Sequence, residues 1–162
     1  GHETVLLVWE EGRTPPADLR LRLQELLGTG ATPGRTAVIE VPVSYDGPDL
    51  QAVATACGMS PEEVVRRHGS ATYEVGFIGF APGFAYLLGG DPALRPPRLA
   101  SPRERVPAGS LAIAGEYCAV YPASSPGGWN LIGTAHVQAF DAAREPQALL
   151  QTGAQVRFVE QR

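Results

Sequence analysis

Apart from histidine, every cationic side chain in these 162 residues is an arginine, because lysine is absent. Four of them, Arg95, Arg98, Arg103 and Arg105, fall in one stretch broken by Pro96, Pro97 and Pro102, with Glu104 as the nearby carboxylate. Guanidinium forks pair bidentately with carboxylates and phosphates, and proline keeps such a stretch extended. Anion binding is favoured over a solvated charged loop, and Arg103→Ala is expected to raise an apparent substrate constant. A second candidate is Ser124-Ser125-Pro126-Gly127-Gly128-Trp129, where hydroxyls precede consecutive glycines whose N–H groups can converge on an oxyanion. The same string makes a good hairpin turn, and taken alone it favours the turn. A third is the set Phe77, Phe80, Phe84 and Tyr86 around Gly79, Pro82 and Gly83. These rings could line an apolar pocket or be ordinary core, and the sequence leaves both open.

A complete catalytic set does not emerge. Ser110, Ser124 and Ser125 are available hydroxyls, but Gly-x-Ser-x-Gly is absent and no histidine is tied to them by spacing. There is no phosphate-binding Gly-x-x-x-x-Gly-Lys-Ser/Thr and no His/Cys/carboxylate pattern for a metal. Cys57 and Cys118 fit no metal or redox spacing and are expected to be reduced and structural. The absence of lysine excludes a lysine nucleophile or a lysine-tethered cofactor in this sequence. His68 falls in the last turn of an expected helix, where a dipole interaction is favoured over a role as base. His136 is given no role.

The elements that must position these groups can be read in order. Gly1-His2 resembles the scar of a cleaved tag. Thr4 to Trp9 reads as a strand, and Pro15-Pro16 open a helix with Leu19, Leu23, Leu26 and Leu27 on one stripe, ending at Gly28. After a turn at Thr32-Pro33-Gly34, Ala37 to Tyr45 reads as a strand whose Pro42 favours an edge or a bulge. Pro48 starts a short helix bearing Leu50, Val53, Ala54 and Cys57, stopped by Gly58. Ser60-Pro61-Glu62-Glu63 is a capping box for the next helix, which Gly69 is expected to end. A strand follows at Tyr73. Short strands at 110–114, 119–121, 129–132, 137–140 and 155–160 then suggest a closed or nearly closed barrel. Glu145-Pro146 is expected to open one helical turn that plugs the barrel end with Leu149 and Leu150.

The length favours one domain with at most a small appendage. A net charge of −4 and a pI near 5.4 argue against nucleic acid or anionic membrane as a partner, with the arginine stretch a local exception. Charged residues make up 19%, which is low and hints at surface covered by a partner. No apolar run reaches the roughly 20 residues needed to cross a bilayer, and no signal-peptide pattern is seen. A cytoplasmic location is expected.

Several motifs in order carry a resemblance: Gly-Phe-x-Pro-Gly-Phe-x-Tyr-Leu at 79–87, Pro-Arg at 97–98 and 102–103, Val-Pro-Ala-Gly-Ser at 106–110, Ile-Ala-Gly at 113–115, Tyr-Pro at 121–122 and Ser-Pro-Gly-Gly-Trp at 125–129. From about Val38 onward the chain resembles the family of allophanate hydrolase subunit 1, the B subunit of 5-oxoprolinase and the sporulation kinase inhibitor, which also forms part of the carboxyltransferase domain of urea carboxylase. The resemblance implies a mostly β fold with short helices. A cyclophilin-like barrel would span 37–162, after a remnant of a small α/β domain at 1–36. It implies subunit 1 of an ATP-dependent amidohydrolase complex, of the allophanate hydrolase or 5-oxoprolinase type, inactive alone and sharing a substrate site with a subunit-2 carboxyltransferase-type partner. ATP would be used by the complex without being evidently bound here, and biotin would enter only in a urea carboxylase-type system. The alternative is a non-catalytic inhibitor of a sensor histidine kinase.

On that reading Arg98, Arg103 and Arg105 hold the carboxylate of a small carboxylate or amide substrate, Ser125, Gly127 and Gly128 donate hydrogen bonds, and Phe84, Tyr86 and Trp129 wall the pocket. Three departures stand out. Glu116-Tyr117-Cys118 replaces a common glutamine and small residue, Thr134 replaces a common arginine, and Ala85 replaces a common proline. Changed specificity or lost activity is the expected consequence.

Overall fold

The computed structural model describes residues 16–28 and 38–161. Two units, Gly1–Arg35 and Thr36–Arg162, divide the chain. In the first, α1 (Leu19–Gly28) starts with the Leu19 N–H donating to the Pro16 carbonyl. Leu19 and Leu23 are half-buried there. The strand expected at Thr4 to Trp9 and the turn at Thr32 to Gly34 lie outside the described residues.

The second unit is mostly β. Its strands are β1 (Ile39–Ser44), β2 (Tyr73–Ile78), β3 (Ala85–Leu88), β4 (Arg103–Val106), β5 (Ser110–Ala114), β6 (Tyr117–Val120), β7 (Ser125–Gly127), β8 (Asn130–Ala135) and β9 (Gln155–Glu160). Two helices, α2 (Leu50–Cys57) and α3 (Pro61–Ser70), lie between β1 and β2. Seven strands close a barrel in the order β1-β8-β5-β6-β3-β2-β9, and β4 pairs with β7 as a separate ribbon. The expected mostly β fold with short helices and a closed barrel is what forms.

Alternation along each strand separates two cores. Val41, Val43, Val75, Leu87, Leu111, Ile113, Val120, Ile132, Val156 and Phe158 belong to the barrel interior. Their neighbours Phe84, Ala112, Ala114, Ala119, Tyr121 and Leu131 point the other way into a second cluster with Val106 and Trp129. The second face carries three alanines where the first carries branched residues, so large rings can lie close against the sheet.

The helices start and stop as their sequences dictate. The Ser60 hydroxyl accepts from the Glu63 N–H at 3.2 Å with Pro61 in the first turn, and Gly58 closes α2 in the left-handed region. Ser60→Ala should therefore cost about 1 kcal/mol of stability, readable as a shift in a urea midpoint; no shift would mean that the cap is idle.

Several expectations are corrected. Pro42 is in a closed barrel rather than on a free edge. It faces β8 where that ladder has run out, since pairing with β8 begins at Val43, and its carbonyl accepts from the His136 N–H. The helix ends at Ser70 rather than Gly69, because the chain remains helical until Ala71 turns extended. No helical turn follows Glu145-Pro146. That peptide is cis, and the loop is held by Asp141 and Arg144 bonds to neighbouring backbone, although Leu150 does join the barrel core. Residues 137–140 form no strand beyond a single bridge from Phe140 to Ala148.

Candidate functional site

The second cluster is built on the outer face of β3, β5, β6 and β8. Phe77 stacks on Tyr86 with centroids 4.2 Å apart, and Tyr86 meets Tyr117 and Trp129 edge-on at 5.6 Å. Phe84 packs edge-on against Phe80, Tyr121 and Trp129. Such ring pairs add about 0.5–1.5 kcal/mol each beyond burial. Phe84 and Trp129, at 2% and 4% exposure, are core rather than the expected pocket walls. Tyr86, Tyr117 and Phe77 are half-buried, and Phe80 is 63% exposed on a left-handed residue (φ 68°).

The expected hairpin turn at Ser124–Trp129 is instead β7. Arg103 pairs with Gly127 and Val106 with Ser125 across the ribbon, and the Gly128 carbonyl accepts from the Leu99 N–H. Ser125 to Gly127 are therefore extended in the ribbon, and the Gly128 carbonyl fastens the arginine stretch. A Cβ at Gly127 would overlap the Tyr121 hydroxyl, so a larger residue there would have to displace that ring.

The four arginines have different fates. The Arg103 Nη2 donates to Asp49 Oδ1 at 2.7 Å, and Asp49 Oδ2 accepts from the Leu131 N–H at 2.7 Å. Arg105 Nε donates to the Ser124 hydroxyl at 3.1 Å. Arg98 lies over the Trp129 ring, 5.8 Å from its centroid, a cation–π contact. Among the described residues of this unit, Arg66, Arg67, Arg103 and Arg157 hold carboxylates and Arg105 and Arg144 hold oxygen acceptors, whereas Arg95 and Arg98 have no ion pair. Asp49 escaped sequence reasoning. It immediately precedes α2 but makes no side-chain cap bond there; its carboxylate crosses to β4 and β8 instead, and only the fold brings Arg103 to it.

Arg95 and Arg98 line one open groove of about 530 Å³ with Pro97, Ala114, Gly115, Glu116 and Tyr117. The groove is built by backbone fastening. The Gly115 N–H donates to the Pro96 carbonyl, the Asn130 side-chain amide to the Pro97 carbonyl, and the Leu99 N–H to the Gly128 carbonyl. The extended stretch is thus clamped at Pro96, Pro97 and Leu99, while the side chains of Arg95 and Arg98 make no ion pair among the described residues. Burial pushes the Tyr121 hydroxyl pKa up, and the Arg98 and Arg103 guanidiniums pull it the other way.

His68 lies elsewhere, inside the barrel at 1% exposure. Its Nδ1 is 2.8 Å from the Tyr45 hydroxyl and its Nε2 3.3 Å from Cys118 Sγ. Burial lowers its pKa to about 3, so the ring is neutral and serves neither as a cation on the helix dipole nor as an accessible base. Burial likewise raises the Cys118 and Tyr45 pKa values. His136 Nε2 is 2.8 Å from the Ser44 hydroxyl, and the Thr134 hydroxyl donates to Asp46. Among the described residues no cluster of three or more metal-ligating side chains occurs, and no helix is long and apolar enough to cross a membrane.

Residues 1–150 match the family described as "Carboxyltransferase domain, subdomain C and D". The chain belongs to this family. A fellow member, the B subunit of 5-oxoprolinase from Escherichia coli O157:H7, is 50% identical over 127 residues, which cover 76% of this chain and 58% of the relative. The solved structure of TTHA0988 superposes with a TM-score of 0.75 at 48% identity, over 88% of this chain and 29% of that one. The Kluyveromyces lactis urea amidolyase shares the fold at 19% identity, with a TM-score of 0.65 over 76% of this chain and 9% of that one. This carboxyltransferase-type chain spans between 52% and 58% of the length of the curated relatives it matches.

Proposed function

We propose that this chain works as one subunit of an ATP-dependent amidohydrolase complex of the 5-oxoprolinase type, contributing one wall of a substrate site completed by a carboxyltransferase-type partner subunit. The identity of 50% to a protein named as the B subunit of 5-oxoprolinase carries the reading. The groove supplies chemistry that fits it. Arg95 and Arg98 offer guanidinium forks to a substrate carboxylate, and Tyr117 offers a ring face to the apolar part of a small lactam. Nucleotide use is assigned to the assembly, since this sequence has no phosphate-binding loop of its own.

The roles expected of Arg103, Phe84 and Trp129 shift on this view from contact to support. Trp129 carries Arg98 on its face, and Phe84 packs beneath. Arg98→Ala should raise the KM for 5-oxoproline roughly tenfold or more, the effect of losing a charge-assisted hydrogen bond, with Arg98→Lys in between. An unchanged KM would remove Arg98 from the site.

The deciding experiment is reconstitution with candidate partner subunits, followed by assay of ATP-dependent opening of 5-oxoproline, with allophanate in parallel. Turnover of 5-oxoproline that vanishes when this chain is omitted is the expected result. A stable complex that turns over neither compound, or no complex at all, would overturn the reading. The latter would leave inhibition of a sensor histidine kinase as the function to test.

A further inference from the structure

The groove is not simply cationic. Glu116 lines it together with Arg95 and Arg98, and among the described residues it makes no ion pair either. Three charges of both signs therefore share one groove without neutralising one another, while the arginines around them are all engaged. The backbone explains why. The turn from Ala114 to Tyr117 is tied to the arginine stretch through Gly115 N–H and the Pro96 carbonyl at 2.8 Å. Glu116 and the two guanidiniums are thus presented from two fastened segments rather than from mobile loops. Opposite charges held near each other but apart are complementary to a ligand that carries both signs itself.

From this arrangement we infer that the groove selects small zwitterions, molecules bearing a carboxylate and a protonated amine, with Glu116 as the residue that sets the preference. Arg95 and Arg98 take the carboxylate, Glu116 takes the ammonium, and Tyr117 and Pro97 cover the carbon skeleton between them. The inference rests on the groove used by the proposed function but not on its turnover. In that setting it means that a ring-opened amino acid, with its free ammonium, is held more tightly than its lactam, whose nitrogen is neutral. Product release, rather than substrate capture, is then what Glu116 governs.

The test is a set of calorimetric titrations of the full chain at pH 7 with L-glutamate, with glutarate, which lacks the ammonium, and with 5-oxoproline. L-Glutamate is expected to bind about tenfold more tightly than either of the others. Glu116→Gln should erase that preference and leave glutarate binding equal or stronger, and Arg98→Ala should weaken L-glutamate and glutarate alike. Glu116 is exposed at a turn, so its substitution leaves the barrel intact, as a circular dichroism melt will verify. Equal binding of glutarate and L-glutamate, a preference that survives Glu116→Gln, or no binding of any of the three would overturn the inference. Turnover by the reconstituted complex without the preference would sink this inference alone. The preference without turnover would sink the functional reading alone.

Discussion

Asp49→Ala is expected to lower the unfolding free energy by about 3 kcal/mol, because it strips a nearly buried carboxylate from two partners at once. Arg103 would keep its guanidinium in the fold without a counter-charge, and the Leu131 N–H would lose its acceptor. At the usual few degrees per kcal/mol this corresponds to a melting point roughly 10 °C lower. Arg103→Ala should cost less, since Asp49 keeps the Leu131 N–H, and Asp49→Asn should fall between. A double-mutant cycle measures the pair itself. The sequence alone placed Arg103 on a substrate. If Arg103→Ala left the melting point unchanged and raised only the KM, that first reading would be right and the structural one wrong.

The second large effect is on pH. His68 is neutral in the fold with a pKa lowered by burial to about 3, whereas in the unfolded chain it titrates near its ordinary 6.5. Below pH 6.5 the unfolded state binds a proton that the folded state refuses, so stability is full above that value and is lost as pH falls towards 3. The slope approaches about 1.4 kcal/mol per pH unit, or about 2–3 kcal/mol between pH 7 and 4.5. Glu63, drawn down to about 2 by Arg66 and Arg67, and Asp91, lowered chiefly by the Ala93 N–H, act in the same direction. Their contribution starts only as the pH nears the ordinary carboxylate range, so the interval from 6.5 to 5 isolates His68. Urea titrations at pH 7.5 and 5 will read it. A flat response, or a slope unchanged by His68→Gln, would show that the ring protonates within the fold.

His68 also shows where local reading stops. Its place in the last turn of a helix was visible, and so was the helix, because a capping box and a proline act through neighbours a few residues away. Its surroundings were not visible, since Tyr45, Cys118 and Phe158 reach it only after the barrel closes. The Ser124–Trp129 string failed for a similar reason. Two glycines after a proline satisfy a hairpin turn locally, but a partner strand at 103–106 and the Tyr121 hydroxyl against Gly127 decide for an extended ribbon. At Glu145-Pro146 the local signal for a helical turn was overridden by the bridge from Phe140 to Ala148 and by the Arg144 bonds to nearby carbonyls.

The class of fold, the strands at 110–114 and 155–160, the starts of the helices and the family were all legible along the chain, the last through motifs spread over it in order. These features depend on alternation, turn chemistry and residue type, all of which act locally or repeat along the chain. Which arginines are spent and which are available was settled in three dimensions. Pairing of Arg103 with Asp49 spans 54 positions, and clamping of the stretch from Arg95 to Leu99 needs Gly115 from one segment and Gly128 and Asn130 from another. Charge partners are chosen by distance in space after the barrel has closed, and no spacing along the chain encodes that distance.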